Sequence, residues 1–257
     1  MQIKTNPISR FVATLAVAFA AANTQAAPTE PVKNIVLVHG FFADGSGWRG
    51  VADILTRDGY NVSVVQQPET SFADDVKATT RIVDAQNGKS ILVGRSYGGL
   101  VITEAGNSPK VAGLVYVAAF QPDAGESLLD LVKKMPPASS GVKASADGQL
   151  YFDQALFHAD FAADLPAADA AFMARSQVLP TVQVAGTAVT RAAWKTKPSW
   201  AIVSTADRTV NPDLERFMAK RAGSKITEIN GSHVAFIARP ADVAKVIEEA
   251  AAQSNKN

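Results

Sequence analysis

Short apolar runs alternate with longer segments of helical spacing along most of this chain. Six runs are short, mainly apolar and rich in branched residues, and each predicts a strand: Ile35–His39, Asn61–Val65, Ser90–Val93, Val111–Val117, Trp200–Val203 and Ile226–Ile229. Apolar residues recur at helical spacing in the segments between and after them: Trp48–Asp58, Asp74–Gln86, Leu100–Ala105, Pro212–Arg221 and Ala241–Ala251. Unbroken apolar strands that alternate with helices are typical of an α/β fold with a mostly parallel sheet and helices on both faces.

Residues 121–197 interrupt this alternation. The segment shows no convincing strand, and it carries many alanines and aspartates together with several phenylalanines. Because long loops without secondary structure are uncommon in compact domains, the pattern predicts a small, mainly helical cap inserted over the sheet. The chain length suits a single domain, so we expect one α/β domain over residues 27–257 with this cap inside it.

The first 26 residues have the pattern of a secretory signal peptide. Lys4 and Arg10 precede the apolar run Phe11–Ala22, and a stretch of small residues ends at Ala26. Cleavage after Ala26 would satisfy the requirement for small residues at the cleavage site. A membrane anchor is the competing interpretation, but about 12 apolar residues are too few to span a bilayer. We therefore expect a periplasmic or secreted protein without a stable membrane anchor.

The composition narrows the range of partners and cofactors. The chain has 25 lysines and arginines against 24 aspartates and glutamates, a balance that disfavours nucleic acid as a partner. It has no cysteine, which excludes disulfides, thiolate metal ligands and a lipid-carrying cysteine. The three histidines, His39, His158 and His233, are scattered along the chain, so no metal site is predicted.

The sequence Gly-Arg-Ser-Tyr-Gly at residues 94–98 matches the G-x-S-x-G pattern of a nucleophile elbow. It follows a predicted strand and opens a predicted helix, which is the setting that such an elbow requires. Glycines at both ends of the motif let strand and helix approach closely, and the helix N-terminus favours negative charge at the serine. Ser96 is therefore the candidate nucleophile.

A serine hydroxyl needs a base to take its proton, and with this elbow the partners follow in the order serine, acid, histidine. His233 lies in the loop after the last predicted strand, where it can reach the top of the sheet, whereas His158 lies inside the predicted cap. His233 is therefore the candidate base. Asp207 directly follows the strand Trp200–Val203 and is the candidate acid, with Asp123 as the alternative.

Acyl transfer also requires hydrogen-bond donors for a tetrahedral oxyanion. The backbone N–H of Tyr97, just after the candidate nucleophile, is one candidate, and the backbone N–H of Phe41 in the loop after the first strand is the other. His39 stands at the end of that strand, directly before Gly40. This position favours a structural role in shaping the loop over a role as a second base.

Six stretches of the chain carry a family resemblance: Val36–Trp48, Pro68–Asp75, Leu92–Gly99, Thr103–Asp123, Lys197–Pro212 and Ser232-His233. They resemble α/β-hydrolases close to the plant methylesterases and hydroxynitrile lyases, and an esterase-like group of exported bacterial hydrolases. The resemblance covers nearly everything from about residue 34 to residue 250. It implies an α/β-hydrolase fold, Ser96, Asp207 and His233 as a catalytic triad, no cofactor, and small-molecule ester substrates held beneath the cap.

The residue before the serine departs from these relatives. It is usually histidine in them and is Arg95 here, which adds charge near the site and could favour an anionic substrate or displace the elbow. Aromatic residues, together with Arg95, are the candidates for a substrate pocket: Phe42, Phe152, Phe157, Phe161 and Trp194. Ordinary packing of the cap on the core is the alternative for each aromatic residue of the cap.

The leading hypothesis is a carboxylesterase-type serine hydrolase that works through an acyl-enzyme on Ser96. Two alternatives belong to other classes. Hydroxynitrile-lyase-like activity needs a positive charge near the base, and relatives of that kind carry lysine directly after the histidine, where this chain has Val234. A non-catalytic or altered-specificity binding protein would be marked by loss of a triad member, and here only Arg95 favours it.

Overall fold

The computed structural model describes residues 1–3 and 32–254 of the chain. The apolar run and the cleavage point of the predicted signal peptide lie outside these described residues. Within the described ranges, every helix is too short or too polar to traverse a membrane.

The described residues form eight strands and ten α-helices. The strands are β1 (Asn34–Val38), β2 (Asn61–Val65), β3 (Ser90–Arg95), β4 (Val111–Val117), β5 (Val142–Ala144), β6 (Leu150–Phe152), β7 (Ser199–Ser204) and β8 (Lys225–Ile229). The helices are α1 (Arg49–Arg57), α2 (Phe72–Asp84), α3 (Gly98–Ala105), α4 (Leu128–Lys134), α5 (Gln154–Asp160), α6 (Ala167–Arg175), α7 (Val182–Gly186), α8 (Pro212–Ala222), α9 (Ala235–Ala238) and α10 (Pro240–Gln253). Short 3-10 helices cover Gly45–Trp48 and Ala193–Lys195.

Six of the strands form one parallel sheet in the order β2-β1-β3-β4-β7-β8. Helices α1 and α10 pack together on one face, α2 and α3 pack together on the other, and α8 covers β7 and β8. Right-handed crossovers explain this division. The connection from β1 to β2 crosses the sheet in one direction and the later connections cross it in the other, so α1 lies on the opposite face from α2 and α3. The predicted α/β class with a mostly parallel sheet is confirmed.

The central strands are buried along their whole length. Every residue of β1, β3, β4 and β7 is buried, whereas the edge strands β2 and β8 keep exposed positions. Complete burial of a valine, leucine or isoleucine side chain contributes about 1.5–3 kcal/mol, so sequences without polar alternation are stable only at the centre of the sheet. The carboxyl ends of these strands form one rigid edge, and the candidate catalytic residues lie along it.

The predicted cap contains helices α4 to α7 and a small hairpin. The expectation that this segment holds no strand is wrong, because β5 and β6 pair as an antiparallel ribbon. Each strand has only three residues, which is too short to leave a pattern of alternating polarity in the sequence; β5 is exposed and β6 buries Phe152. The turn between them uses Gly148 at φ 82°, a conformation that glycine adopts without strain.

Candidate active site

The serine of the G-x-S-x-G motif lies in a sharp turn between β3 and α3. Ser96 has φ 54°, in the left-handed region that residues with a Cβ atom rarely adopt. The turn is possible because its neighbours are glycines: a Cβ atom on Gly98 would lie 2.5 Å from the carbonyl oxygen of His39. On Gly94 it would lie 2.5 Å from the carbonyl oxygen of Gly98. The motif therefore presents the serine hydroxyl at the carboxyl edge of the sheet, as the sequence predicts.

A continuous chain of hydrogen bonds links this serine to a histidine and an aspartate. His233 Nε2 lies 3.0 Å from Ser96 Oγ, and His233 Nδ1 lies 2.6 Å from Asp207 Oδ2. The other carboxylate oxygen of Asp207 accepts the backbone N–H groups of Thr209 at 2.7 Å and Val210 at 2.9 Å. The aspartate follows β7 and the histidine follows β8, so the parallel sheet brings both to the edge where Ser96 lies.

The electrostatic environment keeps the histidine neutral. Burial lowers the pKa of His233, Arg95 lowers it further, and only Asp207 opposes them. Since a carboxylate accepts but does not donate, the Nδ1 proton of His233 points at Asp207 and leaves the Nε2 lone pair facing Ser96. A neutral imidazole in this tautomer is ready to take the hydroxyl proton.

Two backbone N–H groups beside the serine are free to bind an oxyanion. The N–H groups of Phe41 and Tyr97 donate no hydrogen bond to any acceptor within the described part of the chain. The two side chains stack face to face, with ring centroids 4.0 Å apart and planes 18° apart. The hydroxyl of Tyr97 also donates to Asp75 Oδ2 at 2.6 Å. The loop after β1 that carries Phe41, called the oxyanion loop below, and the elbow are therefore fixed against each other.

His39 shapes the oxyanion loop and does not contact the serine. Its Nε2 accepts the backbone N–H of Gln67 at 3.0 Å, and its carbonyl oxygen accepts the side-chain amide of Gln67 at 3.0 Å. Burial lowers the pKa of His39. The imidazole is thus used to join the ends of β1 and β2, in agreement with the structural role predicted for it.

The alternative acid and the remaining histidine lie elsewhere. Asp123 forms an ion pair with Lys195 at 2.5 Å, and its side chain is 30% exposed. His158 Nε2 lies 3.0 Å from the carbonyl oxygen of Leu165 on the outside of the cap. Neither side chain approaches Ser96, so the chain of hydrogen bonds contains Asp207 and His233, as the leading interpretation of the sequence expects.

A largely apolar cavity of about 180 Å³ opens onto Ser96 and His233. Apolar side chains from the oxyanion loop, the end of β4 and the cap form most of its wall: Phe41, Phe42, Phe120, Leu128, Leu129, Val132, Pro137, Val142, Leu150, Ala185 and Val210. Ser139, Ser140 and Thr209 complete the lining, and none of the lining side chains carries a formal charge. Phe42, which the sequence analysis names as a pocket candidate, lines this cavity.

The aromatic cap residues proposed for the pocket do not line this cavity. Phe152, Phe157 and Phe161 are fully buried and pack against one another, with ring centroids 4.5–5.6 Å apart. Trp194 donates its indole N–H to the carbonyl oxygen of Pro122 at 2.7 Å, away from the serine. Placing them in the pocket is wrong, because these rings hold the cap on the core, which is the alternative left open by the sequence.

Arg95 also lies outside the cavity. Its side chain is 1% exposed and lies between the rings of Phe161 and Phe236, at 4.9 and 5.5 Å from their centroids. None of its three guanidinium nitrogens has a hydrogen-bond partner among the described residues. Burial lowers the pKa of Arg95 to about 10, so it remains charged at neutral pH. The prediction that Arg95 lines the substrate pocket is therefore wrong, because its side chain packs against these aromatic rings and is not part of the wall of the cavity.

Sequence reasoning missed a buried acidic pair behind the oxyanion loop. Glu69 and Asp75 are both fully buried, and the backbone N–H of Glu69 donates to Asp75 Oδ1 at 2.8 Å. Neither carboxylate oxygen of Glu69 has a hydrogen-bond partner in the described structure, although Oε1 lies 3.4 Å from His39 Nδ1. Burial together with Asp75 raises the pKa of Glu69 to about 10. The one signal was the resemblance over Pro68–Asp75, which gave no role for either carboxyl group.

Sequence reasoning also missed two aspartates that tie the cap to the catalytic loops. Asp160 accepts the guanidinium N–H of Arg208, next to the candidate acid, at 2.6 Å. Asp164 accepts the backbone N–H of Ser232, next to the candidate base, at 2.5 Å. No motif marks either aspartate, because each works only through where the cap folds. The positions of the acid and base loops therefore depend on the cap.

The parallel sheet, the serine in its strained turn and the hydrogen-bonded histidine and aspartate define a protein of the α/β-hydrolase class. A model of the Alpha/beta hydrolase family matches residues 35–246, and the chain belongs to this family. The resemblance seen in the sequence is thereby confirmed.

One curated relative shares part of the sequence. The carbendazim hydrolyzing esterase of Nocardioides sp. (strain SG-4G) is 37% identical over 122 residues. The match covers 42% of this chain and 50% of that esterase, so the chain spans about half the length of this curated relative.

Solved structures share the fold over nearly the whole described chain. A pyrethroid hydrolase from Sphingobium faniae JZ-2 aligns with a TM-score of 0.76 at 20% identity, covering 88% of this chain and 100% of that one. Tomato methylketone synthase I, complexed with 2-tridecanone, aligns with a TM-score of 0.73 at 17% identity, covering 85% and 97%. Polyneuridine aldehyde esterase aligns with a TM-score of 0.73 at 16% identity, covering 85% and 98%. At these identities the likeness is one of fold.

Proposed function

We propose that this protein hydrolyses carboxylic esters through an acyl-enzyme formed on Ser96. The observation that carries the proposal is the unbroken hydrogen-bonded chain from Ser96 through His233 to Asp207, open to an apolar cavity. A serine in this setting is activated because its proton has an acceptor at 3.0 Å and the acceptor is held by a carboxylate.

The reaction takes two steps. Ser96 Oγ attacks the ester carbonyl carbon while His233 takes the hydroxyl proton, and the resulting oxyanion accepts hydrogen bonds from the N–H groups of Phe41 and Tyr97. The intermediate then collapses, the C–O bond to the alcohol breaks, and His233 returns the proton to the leaving alcohol. Water, deprotonated by the same histidine, attacks the acyl-enzyme, and the carboxylic acid leaves as Ser96 regains its proton.

The cavity favours neutral, apolar esters. None of its lining side chains is charged, and its walls are mainly phenylalanine, leucine and valine. A charged acyl or alcohol group would lose its hydration there without gaining a partner, which costs several kcal/mol. The partial similarity to an esterase supports the ester-hydrolase proposal. We further propose that the chain is exported after removal of residues 1–26, since the N-terminal pattern is that of a signal peptide.

The test is hydrolysis of p-nitrophenyl acetate, butyrate and octanoate by the mature protein and its Ser96→Ala variant. We expect turnover by the wild type and a loss of about 10,000-fold or more in kcat in the variant. Ser63→Ala is the matched control, because Ser63 lies on the edge strand β2, where its side chain accepts a hydrogen bond from Gln86 and from no other described residue. Equal activity of wild type and Ser96→Ala, or no turnover by a folded wild type, would overturn the proposal.

A further inference from the structure

A second cavity of about 250 Å³ also borders Phe42 and does not include the serine. The loop after β1, the end of α6 and helix α9 line it through Ala43, Asp44, Ser46, Gly47, Phe172, Met173, Ser176, Phe236 and Ile237. Phe42 is the one residue, of those the structure describes, that lines both this cavity and the one that contains Ser96. Its ring therefore forms a wall between the two.

The backbone of Phe42 is in a strained conformation. Phe42 has φ 63°, a conformation unfavourable for a residue with a Cβ atom, and its side chain is 5% exposed. Its ring makes edge contacts with Phe41, Phe152 and Phe161 at centroid distances of 5.9–6.4 Å. These contacts involve no hydrogen bond, so removal of the ring leaves no buried polar group unpaired. Strain at a site boundary points to a functional reason for the conformation.

The second cavity has the character of a binding pocket with one charged end. Phe172, which is 64% exposed, and the half-buried Met173 contribute an apolar wall to it. Asp44 lines the same cavity, and its carboxylate accepts the backbone N–H of Ser46 at 2.8 Å. Hydrogen bonds from Ser46 lower the pKa of Asp44, so this carboxylate is ionised at neutral pH. The pocket therefore suits a neutral or cationic apolar group and repels an anionic one.

We infer that Phe42 limits the length of the ester accepted at Ser96, and that the cavity behind it is a second subsite for a neutral or cationic apolar tail. This inference rests on the proposed function. With the ring in place, an ester must fit in the cavity of about 180 Å³ beside the serine. Without the ring, the two cavities become continuous and a longer chain gains the apolar surface of Phe172, Met173 and Phe236.

The direct test is Phe42→Gly, because glycine adopts a positive φ without strain and removes the whole ring. We expect the ratio of kcat/KM for p-nitrophenyl decanoate to that for butyrate to rise at least about tenfold over the wild type. Phe42→Leu, which keeps most of the wall, should retain the wild-type ratio. Adding Met173→Trp to Phe42→Gly should abolish the gain, since the indole fills the second cavity.

The charged end gives an independent readout. In Phe42→Gly, an ester whose tail ends in a trimethylammonium group should be hydrolysed faster than one ending in a carboxylate. Asp44→Asn in the same background should remove that difference. An unchanged chain-length ratio in a folded Phe42→Gly protein would overturn the inference.

Two further measurements test the inference if Phe42→Gly fails to fold or if ester turnover is absent. Met173→Trp alone should leave the wild-type chain-length profile unchanged, because the wall already closes the second cavity; a selective loss of long esters would contradict the inference. Calorimetric binding of a decyl and a butyl ester to Ser96→Ala, with and without Phe42→Leu or Phe42→Gly, reports the wall without catalysis. Absence of Ser96-dependent turnover with intact length discrimination in binding would overturn the proposed function alone.

Discussion

A buried arginine lies close behind the histidine that faces Ser96. The ring of Phe161 contacts both side chains: it lies 4.9 Å from the guanidinium of Arg95 and meets His233 edge-on at 5.0 Å. The positive charge disfavours a second positive charge nearby, so it lowers the pKa of His233 and opposes the effect of Asp207. Arginine at position 95, where the relatives have histidine, therefore extends to lower pH the range in which His233 is neutral.

Arg95→Gln should shift the pH dependence of ester hydrolysis to higher pH. Activity requires a neutral His233, so kcat/KM rises with pH through the histidine pKa in the free enzyme. Loss of the arginine charge raises that pKa, and we expect the acid limb to move up by at least about half a pH unit. Arg49→Gln is the control, since that arginine lies on α1, is 87% exposed, and solvent screens its charge. An acid limb that stays in place, or moves down, would refute this role.

Glu69→Gln should alter stability in a pH-dependent way. The carboxyl group has its pKa raised to about 10 in the folded protein, against about 4.5 when unfolded. The folded state holds a proton that the unfolded state releases, so stability falls as pH rises through this window, by at most about 1.4 kcal/mol per unit. The stability of the variant relative to that of the wild type should therefore be higher at about pH 9 than at about pH 5. Denaturant midpoints of both proteins at the two pH values measure this difference. Asp53→Asn, at an exposed carboxylate, should show no such trend, and a pH-independent difference for Glu69→Gln would contradict the account.

The sequence predicted which side chains meet at the serine but not which way their neighbours point. Ser96, Asp207 and His233 each follow a strand of a parallel sheet, and carboxyl ends of parallel strands share one edge. The burial of Arg95 was not predictable from these rules. It depends on the aromatic rings that the cap and α9 place against that strand, and neither contact has a local sequence pattern.

At the scale of elements, the elbow joins β3, α3 and the end of β4 with no space to spare. A Cβ atom on Gly99, in the first turn of α3, would lie 2.0 Å from the carbonyl oxygen of Phe120. The backbone N–H of Phe120 in turn donates to the carbonyl oxygen of Ser96 at 3.2 Å. A displacement of α3 therefore requires a displacement of Ser96 and of the segment after β4.

Gly99→Ala should destabilise the protein by more than about 4 kcal/mol or prevent folding, because backbone atoms cannot yield to the added methyl group. Thermal and urea unfolding measure the change. Gly186→Ala is the matched control: its Cβ atom would meet only Leu129, at an ordinary 3.6 Å, so we expect a neutral or slightly stabilising effect. Equal stability of the two variants would show that the elbow is looser than the geometry implies.

The cap was predictable in kind and not in detail. Its helical character follows from composition, and α4 carries Leu128, Leu129 and Val132 at helical spacing behind the N-cap Ser127. That pattern was a usable signal for the apolar cavity wall, which all three residues line. The hairpin β5-β6 left no such signal because each of its strands has only three residues. Asp160 and Asp164 left none because their partners are distant in the sequence.

At the scale of the whole molecule, the apolar strands decide the sheet, and we propose that the N-terminal segment directs export. Expression of residues 1–257 in a Gram-negative host should yield a periplasmic protein that begins at Ala27, because the residue before the cleavage point must be small. Ala26→Phe should block or displace cleavage. Mass spectrometry of the periplasmic and cytoplasmic fractions checks both, and a wild-type chain that keeps its N-terminal segment in the cytoplasm would contradict the export proposal.

The measurement that tests the central claim most directly is covalent labelling with diethyl p-nitrophenyl phosphate, which traps an activated serine. The account predicts one phosphoryl adduct per chain, on the peptide that contains Ser96, with loss of esterase activity in step with labelling. Ser96→Ala should take up no label, and His233→Ala should label far more slowly because the hydroxyl then has no base. Labelling at another residue, or undiminished labelling of Ser96→Ala, would contradict the acyl-enzyme account.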